Sequence, residues 1–145
     1  MDEKKTGFKF HMRFADINRI SDLIESMAKH FEDLNIPAKI SYELQLVLEE
    51  AVSNILIHGY GRKPGFLEIG FDYENEIVKI TLEDKAKPFN LLSAPKPDMS
   101  CPPEEREIGG LGVHLIKELT DKIIYEYSDG KNILTLIKST GEKKL

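Results

Sequence analysis

Phe8, Phe10, Met12 and Phe14 alternate with polar residues, a period of two that predicts a first strand. The period then changes. Ile17, Ile20, Leu23, Ile24, Met27 and Phe31 recur at helical spacing, with Asp16 placed to cap a helix running to about Asp33. Asn35-Ile36-Pro37 breaks that helix. Ser41 is the expected N-cap of a second helix ending near His58-Gly59, whose core face is Leu44, Val47, Leu48, Ala51 and Ile55. Leu67, Ile69, Phe71 and Tyr73 alternate again, Glu74-Asn75 turns the chain, and Val78, Ile80 and Leu82 alternate after it, which together predict an antiparallel hairpin ending at Glu83-Asp84.

From Lys85 to Glu107 the regularity stops, and Pro88, Pro95, Pro97, Pro102 and Pro103 accumulate. A loop of this length inside a compact domain is often a functional lid. Gly109-Gly110-Leu111-Gly112 then opens a third helix carrying Val113, Leu115, Ile116 and Leu119. Two last strands follow, about Lys122–Ser128 and Lys131–Ser139, joined by the hairpin signal Asp129-Gly130. The order β-α-α-β-β-loop-α-β-β predicts an α+β two-layer sandwich, with helices on one face of a mixed, largely antiparallel sheet.

The 145 residues are 41% hydrophobic and 31% charged, which fits one domain over residues 1–145 with one core and argues against disorder. A net charge of −5 without a basic stripe disfavours direct nucleic-acid binding. No apolar run has membrane-spanning length or follows the N-terminus as a signal peptide would, so no membrane association is expected. Cys101 is the single cysteine, which points to a reducing cytoplasm. The four histidines are far apart and have no partner at zinc-ligand spacing.

Three groups of residues are candidates for chemistry. Glu50 and Asn54 lie four apart on one helical face, and with His58 they form a polar row slanting toward the buried side. A carboxylate and an amide oxygen one turn apart suit a magnesium ion beside phosphates, while the plainer alternative is a row bonded to neighbouring backbone. Asp84 stands where an apolar strand stops, suited either to accept an exocyclic amine or simply to form a turn. The glycines before Val113 let backbone approach a ligand at a helix N-terminus, where phosphate is the natural guest, or serve only as a flexible helix entrance. Neither G-x-G-x-x-G nor the G-x-x-x-x-G-K-[ST] phosphate loop is present.

The order of these three groups resembles the GHKL (Bergerat) ATPases. Glu50-Ala51-Val52-Ser53-Asn54 is similar to their N box, Asp84-Lys85-Ala86-Lys87-Pro88-Phe89 to a variant of the first glycine box, and Gly109-Gly110-Leu111-Gly112 to the second. Asn54-Ile55-Leu56-Ile57-His58-Gly59-Tyr60 and Asp129-Gly130-Lys131-Asn132-Ile133-Leu134-Thr135-Leu136 resemble the branch of serine/threonine kinases that act as anti-sigma factors. The resemblance implies a Bergerat fold with ATP and Mg2+ as cofactors. It implies Glu50 as catalytic carboxylate, Asn54 as magnesium ligand and Asp84 as adenine acceptor. It further implies a nucleotide site drawn from His58, Ala86, Pro88, Gly109, Gly110, Leu111, Gly112, Val113 and Thr135. Leu91 to Ile108 would be the ATP lid, with Arg106 placed to reach a phosphate.

The implied activity is phosphoryl transfer from MgATP to a STAS-type anti-sigma-factor antagonist, combined with sequestration of a sigma factor, by a homodimer. The alternative is a non-catalytic nucleotide-binding or protein-interaction module of the same fold. Ala86 favours that alternative, because the family pattern has glycine two residues after the first-box aspartate, and alanine is strained if that position needs positive φ.

Overall fold

A computed structural model describes residues 6–90, 93 and 110–141, with residues 6–15, 110 and 111 described by their backbone alone. The elements follow the expected order: β1 (Thr6–Ala15), α1 (Ile20–Asp33), α2 (Ala38–Asn54), β2 (Gly65–Glu74), β3 (Ile77–Asp84), α3 (Gly110–Leu119), β4 (Lys122–Ser128) and β5 (Lys131–Ser139). The five strands form one sheet in the order β1-β2-β3-β5-β4. Every pairing is antiparallel, so the parallel component allowed for by a mixed sheet is absent among the described strands. The reason is topological: α1 and α2 return the chain beside β1 in the opposite direction, while α3 leads to β4 at the far edge and a hairpin brings β5 back between β4 and β3.

Alternation in the strands sends one side chain in two to the helices. Leu67, Ile69 and Phe71 of β2, Val78, Ile80 and Leu82 of β3, and Leu134 and Leu136 of β5 are buried. They meet Met27 and Phe31 of α1 and Leu44, Val47, Leu48 and Ala51 of α2 in one core. Phe31 and Phe71 join the layers, with ring centroids 5.0 Å apart and planes tilted by 37°.

Local chemistry explains the element ends. Asp16 accepts a bond from the Asn18 N–H and opens a 3-10 turn, Ile17–Arg19, that runs into α1. Ser41 is not the cap of α2. The helix begins four residues earlier than that cap implies, with Pro37 in extended conformation as N-cap, and the Ser41 N–H already donates to the Pro37 carbonyl. Proline's fixed φ and missing N–H suit it to a helix start, a signal that competed with the serine. The β2–β3 turn falls on Asn75-Glu76, one residue later than expected, with φ of 54° and 61°. Asp129-Gly130 turns as expected, at 52° and 76°. Both are two-residue loops whose left-handed residues match the sheet's twist.

The end of α2 departs furthest from the helical pattern. After Asn54 the chain widens into a π-helical turn, Ile55–Gly59, in which the Tyr60 N–H donates to the Ile55 carbonyl. One extra residue per turn shifts the buried face, so Leu56 is buried and Ile55 only half-buried.

Candidate functional site

The site lies where the C-terminal part of α2, the end of β3 and the start of α3 converge. Asn54 is buried, and its Nδ2 donates to the Glu50 carbonyl at 2.9 Å. That bond orients the amide, because it uses the nitrogen and leaves Oδ1 as the available acceptor. A cation would find an oxygen there, with the Glu50 carboxylate one turn back on the same helix.

Gly112, in the first turn of α3, packs directly on this pair. A Cβ at position 112 would overlap Glu50 Oε2 and stand 3.2 Å from its Cδ and 3.7 Å from Asn54 Nδ2. Glycine permits this close approach with Glu50 in its present rotamer: its missing side chain lets the N-terminal turn of α3 meet the carboxylate. Beside it opens a cleft of about 400 Å3, lined by Glu50, Gly112, His114, Leu115 and Glu118. Burial pushes the Glu50 carboxyl above its ordinary range, and the neighbouring charge of Glu49 pushes it further.

Asp84 ends β3 with its side chain buried on the helix-facing side of the sheet. Its Oδ1 accepts from the Ala86 N–H and from Asn132 Nδ2, both at 2.9 Å. Burial raises its carboxyl above the ordinary range, while the bonds from Asn132 and Ala86 pull it back down. Among the described residues both bonds fall on one oxygen, which leaves Oδ2 as the acceptor available to a ligand.

Asn132 is the functional candidate that the sequence pattern missed. Its Nδ2 also donates to the carbonyls of Ala86 at 3.2 Å and Lys87 at 3.0 Å. Its Oδ1 accepts from the Phe89 N–H and the Tyr125 hydroxyl. One buried amide thus holds the whole 84–89 loop to the sheet. Thr135, the expected pocket residue on β5, does not line the pocket. It pairs with Thr81 and alternates with the buried Leu134 and Leu136, so it lies on the sheet face opposite Asp84. Asn132 pairs directly with Asp84 and takes that place. Alternation along β5 gives 135 the opposite parity to Leu134 and Leu136, but only the register against β3 sets 132 beside 84.

The remaining expectations divide. Ala86 is buried with φ outside the left-handed region, so alanine there brings no backbone strain. His58 lies half-buried in the π-helical turn and shares no hydrogen bond with Glu50, Asn54 or Asp84 among the described residues. Pro88 is exposed on the loop held by Asn132. Val113 points into the core, so only its backbone faces the site. Gly110 and Leu111 form the first turn of α3. Arg106, Gly109 and the proposed lid from Leu91 to Ile108, with Cys101, lie outside the described residues, apart from Ser93.

This arrangement presents two oxygen acceptors on one helix, a turn of backbone N–H groups against them, and a carboxylate at a strand end. Among the described residues no three His, Cys, Asp or Glu side chains cluster as metal ligands. A magnesium ion held through Asn54 would therefore need phosphate oxygens and water to complete its shell, which is the habit of magnesium at nucleotide sites.

Comparison with known proteins bears on the class. The profile of the histidine kinase-like ATPase domain matches residues 14–138, nearly the whole chain, and the chain belongs to this family. It is also similar to proteins named anti-sigma F factor. The one from Geobacillus stearothermophilus is 27% identical over 97 residues, covering 66% of each chain. Those from Geobacillus thermodenitrificans and Bacillus cytotoxicus are 31% identical over 66% and 35% identical over 56% of each chain. The matched stretch thus spans just under two thirds, at most, of these relatives' length. No helix among the described residues is long and apolar enough to cross a membrane.

Proposed function

We propose that this chain is an ATP-dependent serine/threonine protein kinase that acts as an anti-sigma factor, phosphorylating a STAS-type antagonist and sequestering a sigma factor as a cytoplasmic homodimer. The observation that carries the reading is the placement of Glu50 against Gly112, with the Asn54 amide oriented beside it. Bound MgATP would supply the transferable phosphoryl group and the divalent charge that offsets its oxygens.

The chain's own residues do the positioning. Asn54 offers Oδ1 to the cation. The N-terminal turn of α3 aims N–H groups and the positive end of its dipole at the phosphates. Asp84 takes the exocyclic amine of adenine on the oxygen that Asn132 and Ala86 leave over. Glu50 orients the incoming hydroxyl and accepts its proton. A carboxylate raised by burial is a better base than an ordinary one, since general bases work best with a pKa near the operating pH. The absence of positive φ at Ala86 removes the feature that favoured a non-catalytic module. The names of the similar proteins support the anti-sigma role.

The test combines two measurements. Titration calorimetry should find magnesium-dependent ATP binding that Asn54→Ala abolishes. A purified antagonist incubated with the chain and ATP should gain the mass of one phosphate, and Glu50→Gln should lose that transfer while still binding nucleotide. Tight MgATP binding without any phosphate gain would turn the reading toward the interaction module.

A further inference from the structure

The two halves of the proposed nucleotide site sit on different layers. Asn54 and Glu50 belong to the helix layer, while Asp84 and its loop are held to the sheet through Asn132. Three residues join the halves directly. The π-helical turn after Asn54 delivers Gly59 against Ala86, where a Cβ added to Gly59 would lie 2.9 Å from the Ala86 Cβ. That is closer than two carbon atoms can pack, and the next nearest atom, Cγ2 of Ile55, is 4.0 Å away. Gly59 has no positive φ, so the backbone conformation itself does not demand glycine. What demands it is the methyl group of Ala86.

The next residue clamps the same junction. The Tyr60 hydroxyl donates to the Phe66 carbonyl and accepts from the Lys85 N–H, each at 2.7 Å. Its ring lies over Gly65, where a Cβ would come within 2.5 Å of the ring carbons. Burial raises the Tyr60 phenol above its ordinary range, against the bond from the Lys85 N–H that lowers it. A wide turn, a glycine and a tyrosine in sequence thus fasten the end of the metal-side helix to the adenine-side loop. A regular α-helical turn would carry one residue fewer across this gap.

We propose that Gly59 and Ala86 interlock, with Tyr60 as their clamp, to set the spacing between the Asn54 and Asp84 halves of the site. They are positioning residues, and alanine at 86 is tolerated because 59 is glycine. The inference rests on the nucleotide-binding reading above. It predicts a reciprocal relation: a methyl group fits on one side of the junction but not on both.

The test is a double-mutant cycle read by MgATP affinity well below the melting temperature. Gly59→Ala should weaken binding roughly tenfold, because overpacking pushes the loop from the helix. Gly59→Ala/Ala86→Gly should bind about as well as Ala86→Gly alone, so that the roughly tenfold loss appears only where Ala86 keeps its methyl group. Adenosine, which spans only the loop side, should bind wild type and Gly59→Ala equally, a result that general destabilisation would not produce. Amide exchange in the ligand-free proteins is the second readout. Protection at Lys85 and Ala86 should fall in Gly59→Ala and in Tyr60→Phe and return in the double variant. Additive effects, or a Gly59→Ala protein with wild-type affinity and protection, would overturn the interlock. Wild type that binds no nucleotide would sink the functional reading instead, while the exchange cycle would still decide the interlock.

Discussion

Replacing Gly112 by alanine should separate activity from stability. The added Cβ overlaps Glu50 Oε2 and reaches 3.2 Å from its Cδ, so the carboxylate must swing away from α3. The obstructing atom is the end of a flexible side chain, and a rotamer change relieves the clash at about 1 kcal/mol. Alanine in a helix gains roughly as much over glycine, a little less in the first turn. The two terms nearly cancel, so the melting temperature should move by no more than about 3 °C, the shift expected of about 1 kcal/mol in a domain of this size. The effect on chemistry is larger. General-base assistance is worth about 10²- to 10⁴-fold, and the swing removes Glu50 from its place beside the α3 turn. Phosphate transfer to the antagonist, followed by mass spectrometry in single turnover, should fall at least about a hundredfold on that basis. Thermal unfolding by circular dichroism supplies the control. Wild-type transfer by a well-folded Gly112→Ala protein would refute the role given to Glu50 and its contact with α3.

Four further outcomes follow from the structure. The transfer rate should rise with pH through a limb lying above the ordinary carboxylate range, and Glu49→Gln should move that limb to lower pH, since the Glu49 charge helps to hold the Glu50 carboxyl up; a limb unmoved by Glu49→Gln would count against this cause. Glu50 and Asp84 are both raised in the folded chain, which therefore holds more protons than the unfolded chain between the ordinary and raised values. The stability contributed by these two groups should be full below that window and be lost as pH rises through it, and Asp84→Asn should flatten that part of the dependence seen in urea titrations. Asn132→Ala strips the donor from a buried carboxylate and frees the 84–89 loop, so it should cost about 2–4 kcal/mol by denaturant unfolding and weaken ATP binding as well. Lys138→Met should cost about 3 kcal/mol, because Lys138 Nζ lies 2.8 Å from Glu43 and 2.6 Å from the Leu119 carbonyl at the end of α3. Lys138→Met/Glu43→Leu should recover most of that loss; equal losses in single and double variants would show that the ion pair itself is not the cause.

Hydrophobic periodicity is a local property, and it determined the elements of this protein. The alternation at Leu67, Ile69 and Phe71, the helical spacing through Leu44, Val47 and Leu48, and the Asp129-Gly130 turn each specify a short stretch without help from the rest. That Glu50 and Asn54 lie side by side was legible for the same reason, since residues four apart on a helix share a face. Other features needed contacts far apart in the chain. The insertion of β5 between β3 and β4 depends on which hairpin edge meets which strand. The choice of Asn132 over Thr135 depends on the register of β5 against β3, where an odd displacement sends a side chain to the other face. The π-helical turn has no mark in the spacing of apolar residues, and its use becomes visible only when Gly59 is seen against Ala86, 27 positions away. Sequence pattern set the elements because propensity and burial act over a turn or a strand. Tertiary structure set the site because its groups, contributed by α2, β3, α3 and β5, are brought together only by packing the two layers.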